Sequence, residues 1–228
     1  MPAEVVSGEY DPTSTDGSGR IRENLRQAMS LLEEAGWKME KGKLIHERRG
    51  EHFEFEILLS SSTWERIALP FKKNLGRLGI EARVRTVDAA QFQKRVEDFD
   101  FDMSVDVFGQ SLSPGNEQRD FWSSAAAREP GSRNTAGIED PVADALIDLV
   151  IAAPDREGLI ARTRALDRVL LSGHYVIPHW HIRHYRVAYW NKFGRPPVTP
   201  KYSLGFDSWW VDASQLVPDK GKDGKGRR

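Results

Sequence analysis

The stretch GIEARVRTVDAAQFQKRVEDFDFDMSVDV, residues 79–107, decides the fold class of this chain. Residues 82–88 alternate apolar and polar side chains, which is typical of a strand. Residues 89–97 predict a short helix, and residues 99–107 alternate again as a strand. A short helix between two strands implies a crossover connection and therefore neighbouring parallel strands.

The residues before this stretch add another strand and another helix. Residues 53–59, FEFEILL, alternate and then become fully apolar, which predicts a strand. Residues 64–78 predict a helix that contains Pro70, where a kink or a late start is expected, and Gly79 ends it. The resulting order, β-α-β-α-β, predicts an α/β fold with a mainly parallel sheet.

Helices are also predicted on both sides of this unit. Residues 20–35 place apolar side chains at helical spacing, and Gly36 follows as the stop signal. Asp140 and Pro141 form a strong helix start, because aspartate is a good N-cap and proline is tolerated at the first helical position. That helix is expected to run to about Ile151.

The last third of the chain begins with a further helix, predicted from Pro154 to Gly173. The sequence HYVIPHWHIRHYRVAYW, residues 174–190, is rich in aromatic and β-branched residues. This composition predicts a strand that is broken at Pro178. Beyond Phe193 the sequence predicts loops and turns.

Composition excludes several classes of function. The 228 residues carry a net charge of −1, so no global field favours nucleic acid. No apolar run is long enough for membrane insertion, and the absence of cysteine excludes thiol chemistry. No P-loop, dinucleotide fingerprint or nucleophile motif is found, so no cofactor and no catalytic residue are expected. Residues 1–19 read as a flexible lead-in without a signal peptide, and residues 213–228 as a disordered basic tail.

Two polar segments follow predicted strands. SSST, residues 60–63, comes after the first strand of the β-α-β-α-β unit, and FGQSLSPGNEQRDFW, residues 108–122, comes after the third. In open parallel sheets ligands bind outside the carboxyl ends of the strands. Hydroxyls, amides, charged groups and aromatic rings suit a polar ligand with apolar parts, so binding is favoured over a simple turn.

Two clusters suggest metal or acid–base chemistry but lack the rest of such a site. His179 and His181 share one strand face at a spacing that suits zinc, but no third ligand stands out and Arg183 lies beside them. Asp100, Asp102 and Asp106 share the polar face of the third predicted strand. A solvated or salt-bridged face explains the aspartates, and polar groups beside aromatic rings explain the histidines, so no metal site is expected.

Four segments stand out in sequence order: RENLRQAMSLLEEAGW (22–37), NLGRLGIEARVRTVDAAQFQKRVEDFDFDM (74–103), GSRNTAGIEDPVADALI (131–147) and DREGLIARTRALDRVLLSGHYVIPHW (155–180). In their sequence, order and spacing they resemble segments of the extracellular solute-binding proteins of peptide ABC transporters. A further stretch, QSLSPGNEQRDFWSSAAAREPGSRN (110–134), resembles the YejA-like branch of that family.

This resemblance implies part of a two-lobed periplasmic-binding-protein fold without catalytic activity, corresponding to the C-terminal portion of such a protein. It implies a second-lobe α/β portion at residues 20–177, and a crossover with a C-terminal first-lobe segment at residues 178–212. The implied partners are an oligopeptide or peptide-like ligand, a missing N-terminal portion of the same protein and an ABC permease. The implied location is the periplasm.

The loops and the resemblance together define the expected ligand-binding residues. Family members often place an aspartate in the loop after the third strand, to pair with the amino terminus of the peptide. The corresponding segment here, GQSLSPGNE, has none, and Glu117 is the candidate substitute. For Arg133 and Asn134, contacts that stabilise their own loop are the alternative role. The expected set is Ser61, Ser62, Gln110, Ser111, Leu112, Ser113, Asn116, Glu117, Arg119, Trp122, Arg133 and Asn134.

Two other functions remain open from the sequence alone. Exposed aromatic residues near the end of the chain would suit an interaction fragment that complements a missing N-terminal half. A metal-dependent hydrolase would use His179, His181 and an aspartate. Zinc analysis and mixing with the N-terminal half distinguish these alternatives.

Overall fold

The computed structural model describes residues 14–179, 184–200 and 203–215. The chain divides into two compact units, Met1–Ile177 and Pro178–Arg228. Within the described residues, no helix combines the length and the apolar character needed to cross a membrane. Residues 1–13 of the predicted lead-in and residues 216–228 of the predicted tail lie outside the described residues.

The first unit alternates helices and strands along the chain. Its elements are α1 (Arg22–Glu34), β1 (Trp37–Glu40), β2 (Lys43–His46), β3 (Glu54–Leu59), α2 (Glu65–Gly76), β4 (Glu81–Thr86), α3 (Ala89–Glu97), β5 (Met103–Ser104), α4 (Glu117–Trp122), α5 (Pro141–Ile151) and α6 (Arg156–Ser172). The predicted helices are confirmed, and α2 continues through Pro70.

A three-stranded sheet of order β4-β3-β5 forms the centre of this unit. Both pairs are parallel, with Glu54 opposite Glu81 and Ile57 opposite Met103, so the predicted β-α-β-α-β topology is confirmed. Buried side chains of β3 and β4 pack with Ala68 of α2. Burial of these apolar groups holds the crossover helix on the sheet.

The third predicted strand, residues 99–107, is wrong in its length, because only Met103 and Ser104 pair with β3. Phe99 has a positive φ of 54°, which extended backbone excludes. The side chain of Asp102 then accepts a hydrogen bond at 2.8 Å from the backbone N–H of Glu56 in β3. In a longer β5, a backbone carbonyl group would have accepted this hydrogen bond from Glu56. Here the Asp102 carboxylate accepts it instead.

A β-hairpin that the sequence analysis did not predict precedes the sheet. β1 and β2 pair antiparallel through a two-residue turn at Lys41 and Gly42, which have φ values of 50° and 83°. Positive φ at both central positions is the geometry that matches the twist of a hairpin, and glycine adopts it without strain.

Gly79 joins this hairpin to the sheet. Its carbonyl group accepts a hydrogen bond at 2.9 Å from the backbone N–H of Leu44 in β2. A Cβ atom at position 79 would lie 2.7 Å from that nitrogen and 2.7 Å from Sδ of Met39, and the φ of Gly79 is +74°. Only glycine therefore permits this close approach, which buries Leu44 against Leu78 and Ile80.

A second core packs α4, α5 and α6 together. As predicted, Asp140 caps α5 by accepting a hydrogen bond at 2.8 Å from the N–H of Val142, with Pro141 as the first helical residue. α6 begins two residues later than predicted, at Arg156, with Asp155 as its cap. The buried residues of this core are Phe121, Trp122, Ile138, Ala143, Ile147, Val150, Leu166 and Val169.

The second unit contains only very short regular elements among its described residues. β6 (Phe193–Gly194) and β7 (Trp210–Val211) pair antiparallel. The rings of Tyr189 and Trp209 lie 5.0 Å apart, and the guanidinium group of Arg195 contacts both. This cluster holds the described part of the unit together by ring contacts and cation–π interactions.

The strand predicted over residues 174–190 is wrong for the part that is described. Residues 174–179 and 184–190 contain no strand, and residues 180–183 lie outside the described residues. Aromatic and β-branched residues favour a strand only where a neighbouring strand completes its hydrogen bonds. No described strand pairs with this segment.

Candidate functional site

The predicted site residues before α4 follow strands that end at the carboxyl edge of the parallel sheet. β3 ends at Leu59 and is followed by Ser61 and Ser62. β5 ends at Ser104 and leads into the segment before α4. Because β3 and β5 are parallel neighbours, both segments leave the sheet at the same edge.

Ser61 and Ser62 begin a short 3₁₀ turn at this edge. The hydroxyl group of Ser61 accepts a hydrogen bond at 3.2 Å from the backbone N–H of Thr63, while Ser62 is exposed. The Ser61 hydroxyl is therefore partly used as a cap, and Ser62 presents its own hydroxyl to solvent.

The stretch 108–122, read from sequence as a loop, has two parts. Its second part is the helix α4, which is a correction to that interpretation. Its first part is held by Gln118, which is only 4% exposed. The amide nitrogen of Gln118 donates to Oε1 of Gln110 at 2.8 Å, and its amide oxygen accepts from Nε1 of Trp122 at 3.1 Å.

Gln118 therefore connects the loop to the buried core. Sequence reasoning did not assign this role, although the i, i+4 spacing of Gln118 and Trp122 on a helix is the signal that would have indicated it.

Glu117 carries the negative charge of this segment. Its Oε1 accepts a hydrogen bond at 2.9 Å from the backbone N–H of Gly115. This bond lowers the pKa of Glu117 below the ordinary value of a glutamate, outweighing the slight burial that raises it. The side chain is therefore ionised at neutral pH, while it remains exposed to solvent.

The rest of the segment is exposed and polar. The hydroxyl group of Ser111 accepts a hydrogen bond at 3.1 Å from the N–H of Ser113. The carbonyl group of Leu112 accepts from the guanidinium group of Arg156, at the start of α6. Asn116 is exposed and makes no cap bond. These contacts fix the path of the backbone and leave polar groups at the surface.

Four of the predicted site residues have other partners. Arg119 pairs with Asp148 at 2.7 Å, Trp122 lies in the core, and the guanidinium group of Arg133 lies 4.1 Å from the centre of the Phe121 ring. Asn134 is fully buried, donates to the carbonyl groups of Ser123 and Ile138, and accepts from the N–H of Ile138. This geometry favours the loop-stabilising alternative for Asn134.

An open cleft of about 450 Å³ lies beside α4, but it does not include the segment 110–117. Its lining is strongly acidic, with Asp120, Glu129, Asp144 and Asp148 around Arg119. Asp144 already accepts a hydrogen bond from the backbone N–H of Ser124, and Asp148 forms an ion pair with Arg119. Concavity alone therefore does not identify this cleft as the ligand site.

The aspartates considered for catalysis have partners within the protein. Asp100 pairs with Arg95 at 2.8 Å, Asp102 accepts from the backbone of β3, and Asp106 accepts from the hydroxyl group of Thr135 at 3.0 Å. The ion pair of Asp100 agrees with the salt-bridged face expected from the sequence, whereas the hydrogen bonds of Asp102 and Asp106 within the protein were not predicted. Of the H-x-H pair, His179 is described, whereas His181 and Arg183 lie outside the described residues.

In open parallel sheets ligands bind outside the carboxyl ends of the strands, which is the edge from which these polar segments leave the sheet. The sequence profile described as "Bacterial extracellular solute-binding proteins, family 5 Middle" matches residues 2–129. The chain belongs to this family of solute-binding proteins, which confirms the resemblance found in the sequence.

Two curated relatives are similar over most of the chain. One is the "Uncharacterized protein y4wM" of Sinorhizobium fredii, 51% identical over 92% of this chain and 32% of its own length. The other is the "Probable peptide-binding protein YejA" of Agrobacterium fabrum, 44% identical over 92% of this chain and 34% of its own. The chain therefore spans about a third of the length of these relatives. The family and the peptide-binding relative confirm the non-catalytic interpretation.

A solved structure shares the fold. The oligopeptide-binding protein AppA from Bacillus subtilis, solved with a nonapeptide, matches 82% of this chain and 37% of its own length. The TM-score is 0.62 and the sequence identity is 21%. This match confirms that the chain has part of the fold of a two-lobed periplasmic binding protein.

Proposed function

We propose that this chain supplies one wall of an oligopeptide-binding cleft in the periplasmic binding protein of an ABC importer. The segment 110–117 carries the proposal, because it follows a strand that ends at the carboxyl edge of the sheet, presents polar groups and is held to the core by Gln118. The printed name of the Agrobacterium fabrum relative supports a peptide as the ligand. An extended peptide offers backbone groups that such a wall can bind independently of side chains.

Glu117 would bind the positive end of the ligand. Its charge is maintained at neutral pH by the bond from Gly115, and the side chain remains accessible. An ammonium group that is desolvated against this carboxylate forms a charge-assisted hydrogen bond. Ser62, Ser111 and Ser113 supply further polar groups for the backbone of the ligand.

The second wall would come from the remaining length of a family protein, as an N-terminal portion. Several large apolar side chains of the second unit are exposed, including Trp190, Phe206 and Trp210. Exposed apolar surface of this kind marks an interaction site. We therefore expect the second unit to bind that portion, and the chain to reach an ABC permease only as part of such an assembly.

The first experiment tests the ligand contact in a complex of the chain with the N-terminal portion. Calorimetry with an oligopeptide compares Glu117→Gln with Glu157→Gln, an exposed acid in α6 as the matched control. Glu117→Gln should weaken binding by about 1–3 kcal/mol if it pairs with a desolvated amine. An N-acetylated peptide should bind both variants equally. Unchanged affinity for the free peptide would remove Glu117 from the site.

The second experiment tests the assembly by size-exclusion chromatography with light scattering, with and without the N-terminal portion. The chain alone should bind peptide weakly or not at all. The entropic cost of association is nearly the same as in the complete assembly, whereas the number of favourable contacts with the peptide is smaller. A chain that ignores that portion and binds an oligopeptide at micromolar affinity by itself would contradict the proposal.

A further inference from the structure

The opposite edge of the sheet brings a histidine and two glutamates together. His52, Glu54 and Glu81 each offer one ligand atom, and these atoms all lie within 4.8 Å of one another. The sheet register explains this: Glu54 and Glu81 are partners at the start of two parallel strands, and His52 stands two residues before Glu54. Residues two apart in extended chain point to the same face.

A backbone carbonyl group sets the state of the histidine ring. Nε2 of His52 lies 3.1 Å from the carbonyl oxygen of Gly79. That oxygen can only accept, so Nε2 carries a proton, and in the neutral ring Nδ1 is the nitrogen that offers a lone pair. Nδ1 lies 3.8 Å from Oε2 of Glu81. An imidazole whose other nitrogen donates to a carbonyl group is the usual arrangement of a metal-ligating histidine.

We propose that His52, Glu54 and Glu81 bind a divalent transition-metal ion, with Zn²⁺ as the preferred ion. An imidazole nitrogen together with carboxylate oxygens suits zinc, whereas magnesium favours oxygen ligands alone. Three protein ligands leave a position for water. An open cleft of about 280 Å³, which His52 and Glu81 help to line, gives access to solvent.

In the absence of metal, Arg83 supplies the positive charge that pairs with the two glutamates. Its guanidinium group lies 2.5 Å from Glu54 and 3.3 Å from Glu81. The arginine side chain is 61% exposed, and exposed ion pairs contribute little to stability, so it can turn into solvent when a metal binds. Lys43 and Lys72 also line the cleft and oppose a cation. The proposal therefore requires tighter metal binding when Arg83 is made neutral.

This site is separate from the proposed ligand loop. Glu54 and Glu81 begin their strands, whereas Ser61 and Ser62 follow the carboxyl end of β3, about 17 Å away at about 3.3 Å per residue. The metal would join the segment before β3 to the first residues of β3 and β4. Its role is to stabilise the sheet, and the inference does not depend on the proposed function.

Calorimetric titration of the full chain with Zn²⁺ tests the proposal. We expect one ion per chain and a higher melting temperature with zinc, since a ligand that binds only the folded state stabilises it. Glu54→Gln and His52→Ala should each weaken binding by about tenfold or more, because even outer-shell partners of metal sites contribute about 10–100-fold in affinity. Arg83→Met should bind zinc more tightly than wild type.

Three controls make the outcome decisive. His179→Ala should leave the zinc affinity unchanged, which separates this site from the H-x-H pair. Mg²⁺ should bind more weakly than Zn²⁺. Glu54 is exposed, so Glu54→Gln is expected to fold normally, and its circular dichroism spectrum checks this. The proposal is overturned if wild type binds no zinc, if both ligand variants bind as wild type does, or if zinc is lost only in His179→Ala.

Discussion

The two compact units differ in how they place their large apolar side chains. In the first unit Phe121 is 1% exposed, at the centre of a core that joins three helices. In the second unit Trp190 is 80% exposed, and none of the residues described at 184–200 and 203–215 is buried. Both units are rich in aromatic residues, so composition does not explain the difference.

The difference shows that apolar residues form a core only when regular elements give them a common face. In the first unit, α4, α5 and α6 direct their apolar side chains toward one another. The second unit has two-residue strands and 3₁₀ turns among its described residues, and its rings contact one another without being covered. Such a surface supports the proposal that another portion of a family protein covers it.

Removing the Phe121 ring tests this comparison most strongly. Phe121→Ala should lower the free energy of unfolding by about 3–5 kcal/mol, because it leaves a cavity in a packed core. Trp190→Ala removes a larger ring in the second unit and should change the free energy of unfolding by less than about 0.5 kcal/mol. Urea denaturation followed by circular dichroism measures both. Equal losses would mean that the second unit has a core of its own in solution.

Substitution of Asn134 tests whether buried polar groups in the first unit depend on their hydrogen-bond partners for stability. Asn134→Ala should lower the free energy of unfolding by about 1–3 kcal/mol, since it leaves the buried N–H and carbonyl groups of Ile138 without the Asn134 amide. Asn116→Ala, at an exposed position, is the matched control. A loss no greater than the control would show that water replaces the Asn134 amide.

Aspartate caps exist in both units and give a smaller contrast. Asp155 accepts from the N–H of Gly158 at 2.7 Å at the start of α6, and Asp212 accepts from the N–H of Ser214 at 3.0 Å. Asp155→Ala should cost about 1 kcal/mol, because α6 packs in the core. Asp212→Ala should stay within about 0.5 kcal/mol. Thermal melts of the two variants measure both losses of stability. A larger loss in Asp212→Ala than in Asp155→Ala would mean that the second unit is the more stable one.

The smallest expected effect is the titration of Glu117. The bond from Gly115 lowers its pKa in the folded chain, so it adds stability above the pKa of an unfolded glutamate. That contribution is lost as the pH falls through the lowered pKa of the folded state. Carbon-detected NMR titration of the carboxylate measures this. An ordinary glutamate pKa would mean that the loop lacks the order of the core to which Gln118 connects it.

Local signals in the sequence predicted most of the fold of the first unit. Asp140 and Pro141 marked the start of α5 because capping depends on adjacent residues. The length of the third strand was not predictable in the same way. It depends on Phe99 in the left-handed region and on a carboxylate that pairs with a backbone group of another strand. The hairpin turn at Lys41 and Gly42 lacks the Asn-Gly pair that would have marked it.

The candidate site was predictable only as a place on the sheet. Strand order located the loop, because it follows from alternation along the chain. The role of Gln118 depends on which side chains meet in three dimensions, and so does the grouping of His52 with Glu81. The latter requires the parallel register of β3 and β4, which no short motif encodes.

Because the Leu44 amide donates a hydrogen bond to Gly79, its rate of exchange with solvent can be measured separately from that of the sheet. Exchange of that proton with solvent reports separation of the hairpin from the sheet, whereas the Val87 amide, which donates to Leu59, reports opening of the sheet itself. The hairpin has a local turn and can close early, while its docking joins residues far apart in the chain. In a Gly79→Ala chain the Leu44 amide would therefore lose its protection from hydrogen exchange, while the Val87 amide would keep it. The two exchange rates would then report docking of the hairpin and opening of the sheet independently.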